Sequence, residues 1–502
     1  MEAKLGFNGY SGFQVVFSKS ISQTESQDSV VPDTLPDIAS ILCTSGCILI
    51  RSKDVSEGHV RLEANVPARV CCAGEGDGQP YCLDVNLPFY ISAEEETIRD
   101  GSVCTAKLTI KHLEARMLNP RKISVRAEIA AQLKCCLEED VTFCTEPAEQ
   151  DAVIHTLVRE AELSAIRCVT EKTFVLTDEY ERPHDRQPAA EIAAQNAEVL
   201  FQEIRSVGTK LILKGSVRSD LICVSENGEM ETVSFATPFS QVIETQTETE
   251  NALCEATVLL SGMYYELTPD TDGRSISAEF HLVAQITVFQ RQRMRYLADA
   301  YSNLYPLTIR RQQTEAVLYD REVALRETFN AAIELPGEVR SIVSSIVTPV
   351  AWSEDDGVIT VQLLARLCWR GGSEICSAER TLTQRIPADP ERGSLIVYAA
   401  SVQDLYASPA SGGAEMRITT EIRAFAVQKA MIERIDGISY EESAQLDLDD
   451  RPTVILLCPD PGSDLWTLAK DHCSAIEAIC SANDLSGEEV PTDRLLLIPK
   501  TV

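Results

Sequence analysis

The sequence predicts a mainly β protein: three tandem β-rich modules, each with a small helical element, followed by a small C-terminal α/β domain of order βααβ. Three observations predict it. Apolar and polar residues alternate with period two through most of the chain, the pattern of half-buried strands. Strand-ending landmarks recur roughly every 150 residues, at Leu87-Pro88-Phe89, Thr237-Pro238-Phe239 and Ile386-Pro387-Ala388. Near the C-terminus the pattern switches from strand to two short helical runs and back to strand.

Each module reads in the same order. Pro36-Asp37-Ile38, Pro188-Ala189-Ala190-Glu191-Ile192 and Pro336-Gly337-Glu338-Val339 each open a short amphipathic turn, the predicted helical element. A hairpin follows. In the first module Val60-Arg61-Leu62 leads through Val70-Cys71-Cys72 and the turn Glu75-Gly76-Asp77-Gly78 to Cys82-Leu83-Asp84-Val85. The second has Leu221-Ile222-Cys223, the turn Glu226-Asn227-Gly228 and Thr232-Val233-Ser234-Phe235; the third has Leu367-Cys368-Trp369, Gly371-Gly372 and Arg380-Thr381-Leu382-Thr383. Asn-Gly and Gly-Gly suit tight hairpins because they tolerate positive φ. Cys72, Cys223 and Cys368 fall at matching positions and read as core. The predicted modules span 1–180, 181–330 and 331–446, with competing first breaks at Glu138-Glu139-Asp140 and Glu181-Arg182-Pro183. The acidic linker Asp447-Leu448-Asp449-Asp450-Arg451-Pro452 leads into a final domain at 452–500.

That final domain starts with an apolar strand from Thr453 to Cys458, and Pro461-Gly462 turns the chain into a helix. Leu465, Leu468, Ala469 and Cys473 share one helical face. Ser463 is the expected N-cap, with Asp464 adding negative charge where the helix dipole favours it. Ile476, Ile479 and Cys480 mark a second helix, stopped by Asn483-Asp484, and Leu495 to Pro499 closes the unit as a strand.

Composition narrows the function classes. Forty-five basic against 77 acidic residues give a formal charge of −32, which disfavours nucleic acid and anionic membrane surfaces as partners. No N-terminal apolar stretch reaches signal-peptide length and no run of about 18 apolar residues occurs, so a soluble, cytosolic protein without a transmembrane segment is expected. The 17 cysteines sit in or beside apolar strands and form no CxxC pairs; reduced, buried thiols are expected rather than a disulfide framework or a metal site. The six histidines, at 59, 112, 155, 184, 281 and 472, make no HExxH pattern and no papain-like arrangement with a cysteine. GxSxG, P-loop and GxGxxG sequences are absent, so no catalytic residue, cofactor or metal is expected. His472 and Cys473 point about 100° apart on a helix and do not converge on one ion; an exposed His472 beside a core Cys473 is expected. Trp466 packs into the small core or stands as a recognition anchor, and the sequence leaves both open.

Two resemblances add to this reading. The C-terminal unit resembles a LysM module in Pro461-Gly462 with Leu465-Trp466, in Leu468-Ala469-Lys470, in Ala482-Asn483-Asp484-Leu485, and in Leu496 with Ile498-Pro499. Where that family usually reads Gly-Asp-Thr, this chain has Gly462-Ser463-Asp464, and where it reads Pro-Gly, this chain has Thr492-Asp493. Both departures fall in loops that flank the family's groove for N-acetylglucosamine polymers. Most of the chain is similar to the SPOCS-domain family of endospore-forming bacteria, in the layout of SipL-type spore-coat morphogenetic proteins. The similarity is carried by Leu118-Asn119-Pro120-Arg121-Lys122-Ile123, by Leu213-Lys214-Gly215-Ser216-Val217 with Pro238-Phe239-Ser240-Gln241-Val242-Ile243, and by Asp299-Ala300-Tyr301-Ser302.

What the resemblance implies is a non-catalytic scaffold of the mother-cell cytoplasm, recruited to the forespore surface during coat morphogenesis. Its LysM-like tail is implied to contact the morphogenetic ATPase of the coat basement layer. The alternative is a protein that binds peptidoglycan or a chitin-like glycan through that module. Gly462, Ser463, Asp464, Trp466, Asn483, Asp484 and Asp493 form the candidate partner-binding or glycan-binding face.

Overall fold

The computed structural model describes residue 2 and residues 4–501, apart from 77, 148–153, 185, 246–247, 269–272, 356, 373, 389–393, 448–450, 486, 488–489 and 492–493. The described chain is mainly β, arranged in several sheets, with two short helices.

Seven strands come first: β1 (Leu5–Val30), β2 (Ile38–Gly46), β3 (Leu49–Ser56), β4 (His59–Gly74), β5 (Pro80–Glu94), β6 (Val103–Asn119) and β7 (Lys122–Pro147). Next come β8 (Ile154–Glu181), β9 (Glu191–Val207), β10 (Lys210–Val224), β11 (Met230–Glu244), β12 (Leu253–Leu267) and β13 (Ser275–Ser302). The third set is β14 (Leu307–Glu334), β15 (Ser341–Asp355), β16 (Val358–Gly371), β17 (Glu374–Pro387), β18 (Ser394–Ala410) and β19 (Gly413–Tyr440). The same pairing occurs in all three. The first long strand pairs antiparallel with the last, as β1 with β7, β8 with β13 and β14 with β19. The last strand also pairs with the one before it, β6, β12 or β18. The intervening strands make a smaller antiparallel sheet: β9-β10-β11, β15-β16-β17, and in the first set β4 with β2, β3 and β5. There the strand equivalent to β9 is split in two around Cys47 and Ile48.

Two expectations change. The helical elements expected near 36, 188 and 336 are absent among the described residues, because those segments enter strands: Ile38 pairs with Gly74, Glu191 with Val224 and Ser341 with Arg370. A few apolar positions satisfy either period, and an adjacent strand with unpaired backbone groups decides between them. The pairing also groups the chain differently from the expected breaks near 180 and 330. Residues 154–181 bond to β13, Glu181 facing Ser275, and residues 307–334 bond to β19.

The three sets close on one another in a cycle. β9 packs against β2, β4 and β5, β15 against β11, and β2 against β17. At this junction Cys43, Cys71, Ala193, Ala194, Ile222, Val224 and Cys368 are buried together. The middle strand of each small sheet contributes to it: Cys71 from β4, Ile222 and Val224 from β10, and Cys368 from β16. Cys368 therefore corresponds to Cys71 and not to Cys72, which faces the first set's own core, while Cys223 faces the second's. Its neighbour Trp369, 1% exposed, takes the inward place. At the opposite end β7, β13 and β19 touch pairwise, and Cys144, Leu297 and Ile435 pack in one cluster.

Polar groups tie the first set to the second and third. Gln285 pairs with the Ala106 backbone in both directions, Nε2 donating to the carbonyl at 2.7 Å and Oε1 accepting from the amide at 2.8 Å. Lys107 and Lys134 hold the Glu255 carboxylate at 2.7 and 3.2 Å, and Lys107 also donates to the Tyr398 carbonyl at 2.7 Å. Burial opposes ionisation of Glu255, and the two lysines outweigh it, holding the carboxyl down at about 2.

Candidate functional site

The C-terminal unit follows the expected order: β20 (Val454–Leu457), α1 (Leu465–Asp471), α2 (Ile476–Asn483) and β21 (Leu496–Pro499), with β20 and β21 antiparallel. Gly462 adopts φ 91°, and the Ser463 amide donates to the Asp460 carbonyl at 3.0 Å, a turn with Pro461 and Gly462 at its centre. A positive φ there is what glycine supplies. Because the turn consumes Ser463, the cap moves one residue on. Asp464, not Ser463, is the N-cap: its carboxylate accepts from the Thr467 amide and hydroxyl, both at 2.8 Å. The Thr467 amide bond leads the causes that hold Asp464 below its ordinary value.

Asn483 ends α2 and pins it to β21. Its Nδ2 donates to the Ile479 and Leu497 carbonyls at 2.7 and 2.6 Å, and its Oδ1 accepts from the Leu497 amide at 2.7 Å. Asp484 follows in left-handed conformation as the C-cap. Both residues serve the local fold. Leu465, Leu468, Ala469, Ile479, Leu496 and Ile498 form the small core as patterned, and Cys473 is buried while His472 is half-buried rather than exposed.

That core is not closed on itself. Tyr301, from the end of β13, belongs to it. The Tyr301 hydroxyl donates to the Ser474 carbonyl at 2.8 Å, and its ring meets Trp466 edge-on with centroids 4.9 Å apart and stacks on His155 at 4.7 Å. Asp299, two residues earlier, accepts three donors: Trp466 Nε1 at 2.8 Å, Lys470 Nζ at 2.7 Å and Arg311 Nη2 at 2.7 Å. Burial works against its ionisation, and the bonds from Lys470, Trp466 and Arg311 outweigh that, so the carboxyl sits below its ordinary value. Asn303 donates to Thr501 Oγ1 at 3.0 Å and to the Ser474 carbonyl at 3.3 Å. Upstream of the unit, the Leu446 amide donates to the Leu304 carbonyl at 2.8 Å.

The expected binding face is thereby divided. Gly462 and Ser463 form the turn, Asp464 caps α1, and Asn483 and Asp484 end α2. Trp466 is half-buried against Asp299 and Tyr301 within the same chain, and Asp493 lies outside the described residues. The side chains that hold the tail, Asp299, Tyr301 and Asn303, were not among the expected site residues. Asp299-Ala300-Tyr301-Ser302 carried a signal as a family landmark, without a link to residues far downstream. What stays open among the described residues lies on and beside β20 and β21: Val454 and Leu456 of β20, Leu497 of β21 and Leu495 just before it are 48%, 63%, 40% and 60% exposed, with Leu456 directly opposite Leu497. In so small a unit this is a contiguous apolar surface of the kind that partners cover.

Among the described residues, no group of three or more His, Cys, Asp or Glu side chains is placed to hold a metal ion, and no helix is long and apolar enough to cross a membrane. No family model, curated protein or solved structure matches this chain.

Proposed function

We propose that the chain is a non-catalytic scaffold of endospore coat morphogenesis, built of three tandem SPOCS-like modules with a LysM-like tail, and that the tail binds the ATPase of the coat basement layer. The observation that carries this reading is the junction at Asp299-Ala300-Tyr301-Ser302. One of the two segments most specific to the family resemblance, the other being Pro238-Phe239-Ser240-Gln241, is the one on which the tail rests, which supports a tail that the body holds in a fixed pose for an outside partner. The exposed leucines of β20 and β21 supply the contact surface. A glycan reading has less support, because the tryptophan beside the expected groove is engaged by Asp299 and Tyr301.

Pull-down from sporulating cells tests it, using the full chain with Leu456→Asp and Leu497→Asp after hydrogen exchange has verified the tail's fold. Placing charge at an interface centre costs about 2 kcal/mol or more, a binding loss of at least about thirtyfold. Wild-type recovery of the basement ATPase by the folded variant overturns the docking face. Equal recovery after deletion of 452–502 overturns tail docking altogether.

A further inference from the structure

Three cysteines stand side by side across three strands. Cys43 of β2 is directly opposite Cys71 of β4, and Cys71 is directly opposite Cys82 of β5. Opposed residues of an antiparallel pair point to the same face, with Cα atoms about 4.5 to 5.5 Å apart. That separation lies inside the range of about 4.4 to 6.8 Å that a disulfide spans without backbone movement. The face is the one turned toward the three-sheet junction, where Cys43 and Cys71 are buried with Cys368. Cys71 is fully buried and Cys43 is 5% exposed, while Cys82 is half-buried beside the Ile192 and Ala193 carbonyls of β9. The row therefore has one entrance, at Cys82.

We propose that Cys82, Cys71 and Cys43 are a thiol relay: a small oxidant entering at Cys82 produces a Cys71–Cys82 disulfide, which then exchanges to Cys43–Cys71. With hydrogen peroxide the atoms balance as follows. The Cys82 sulfur takes one peroxide oxygen as the O–O bond breaks, giving a sulfenic acid and one water. The Cys71 sulfur attacks the Cys82 sulfur, its proton leaves with the hydroxyl as a second water, and two thiols have surrendered two electrons. Cys43 then attacks the Cys71 sulfur, and Cys82 departs with the proton Cys43 released. Hydrogen bonding with Cys43 first, then with Cys82, and burial all hold Cys71 as the neutral thiol. Because the thiolate is the attacking species, linkage is slow at neutral pH and faster as pH rises.

Two neighbours serve as internal controls. Cys72 lies opposite Tyr81 and faces the other way, into the first core. Cys104 and Cys135 are also directly opposite one another, on β6 and β7, but are 4% and 0% exposed and have no half-buried member to admit the oxidant. They stay reduced in the folded chain.

The test is disulfide mapping of the folded full-length protein after hydrogen peroxide treatment, with glutathione disulfide as a parallel arm, alkylation of the remaining thiols, and unreduced digestion. Cleavage after Glu75 separates Cys71 from Cys82, and a Cys72→Ala variant assigns the linkage to Cys71. The expected result is one linkage per chain, Cys71–Cys82 early and Cys43–Cys71 later. In Cys43→Ser the Cys71–Cys82 linkage accumulates, and in Cys82→Ser the Cys43–Cys71 linkage forms at least tenfold more slowly. A folded wild type that keeps every thiol, or that stops at an oxidised Cys82 with no linkage, overturns the relay. A first linkage lacking Cys71 overturns it equally. The same treatment in guanidinium, where all thiols are open, verifies that the oxidant is active.

Discussion

Replacing Asp299 by alanine should release the C-terminal unit from β13 while leaving the three strand sets folded. Three donors converge on this carboxylate, whose side chain is 18% exposed. The Trp466 bond is charge-assisted and half-buried, and such bonds contribute about 1.5 to 3 kcal/mol. Lys470 is 39% exposed, so its ion pair is screened and adds about 0.2 to 1 kcal/mol, while the Arg311 pair joins β13 to β14 and does not hold the tail. The two contacts that reach the tail sum to roughly 2 to 4 kcal/mol, and hydrogen exchange protection of α1 should fall by about thirtyfold or more. Asp299→Asn keeps a carbonyl acceptor for the indole and should lose less. The pH dependence has a definite sign. The folded pKa lies below the ordinary 3.8, so this stabilisation is fully present above that value and fades as pH falls through the lowered one. Exchange measured on 465–471 and on β19 separates the outcomes. Unchanged protection of α1 in Asp299→Ala refutes the reasoning, and so does an equal loss over β19, which would mean that the tail does not open as its own unit.

Two further changes probe the body. Glu255→Gln leaves Lys107 and Lys134 without their shared carboxylate and should cost about 3 to 5 kcal/mol in urea unfolding near neutral pH. Since Glu255 is held at about 2 against an ordinary 4.5, the deficit should shrink as pH falls from 4.5 toward 2, and a deficit constant across that window contradicts the ion-pair account. Gly215→Ala would place a Cβ 2.5 Å from the Phe239 ring and 2.6 Å from the Leu200 carbonyl oxygen, costing about 1 to 3 kcal/mol at unchanged m-value; adding Phe239→Leu should recover only part, because the backbone contact remains.

Local chemistry was legible and long-range partnership was not. The turns at Glu226-Asn227-Gly228 and Gly371-Gly372 fall between β10 and β11 and between β16 and β17, with Gly228 and Gly372 at φ 75° and 63°. The core stripe of α1 was equally readable, since Leu465, Leu468 and Ala469 follow one helical face. The cap was not, because Ser463 and Asp464 are both good N-caps and only the turn closed by the Ser463 amide chooses between them. The correspondence of Cys368 with Cys72 failed for a different reason. In a strand a slip of one residue reverses the face, and adjacent Cys71 and Cys72 look alike in sequence while facing different clusters.

Trp466 shows how such limits bear on function. The sequence offered two roles for the indole, core packing or contact with a partner, and both assumed that the tail stands apart from the body behind its linker. The alternation that defines strands resolves the matter. The pairing of β13 with β8 shifts register between Leu297 and Asp299, and beyond that bulge successive side chains again take opposite sides of β13, so Ala300 joins Leu297 and Ile435 in one cluster while Asp299 and Tyr301 reach Trp466. One short segment therefore serves two interfaces. With the indole engaged inside the chain, the large apolar side chains that the tail still offers to another molecule, among the described residues, are those of Val454, Leu456, Leu495 and Leu497, and a partner search directed at Trp466 would select for loss of tail docking rather than loss of binding.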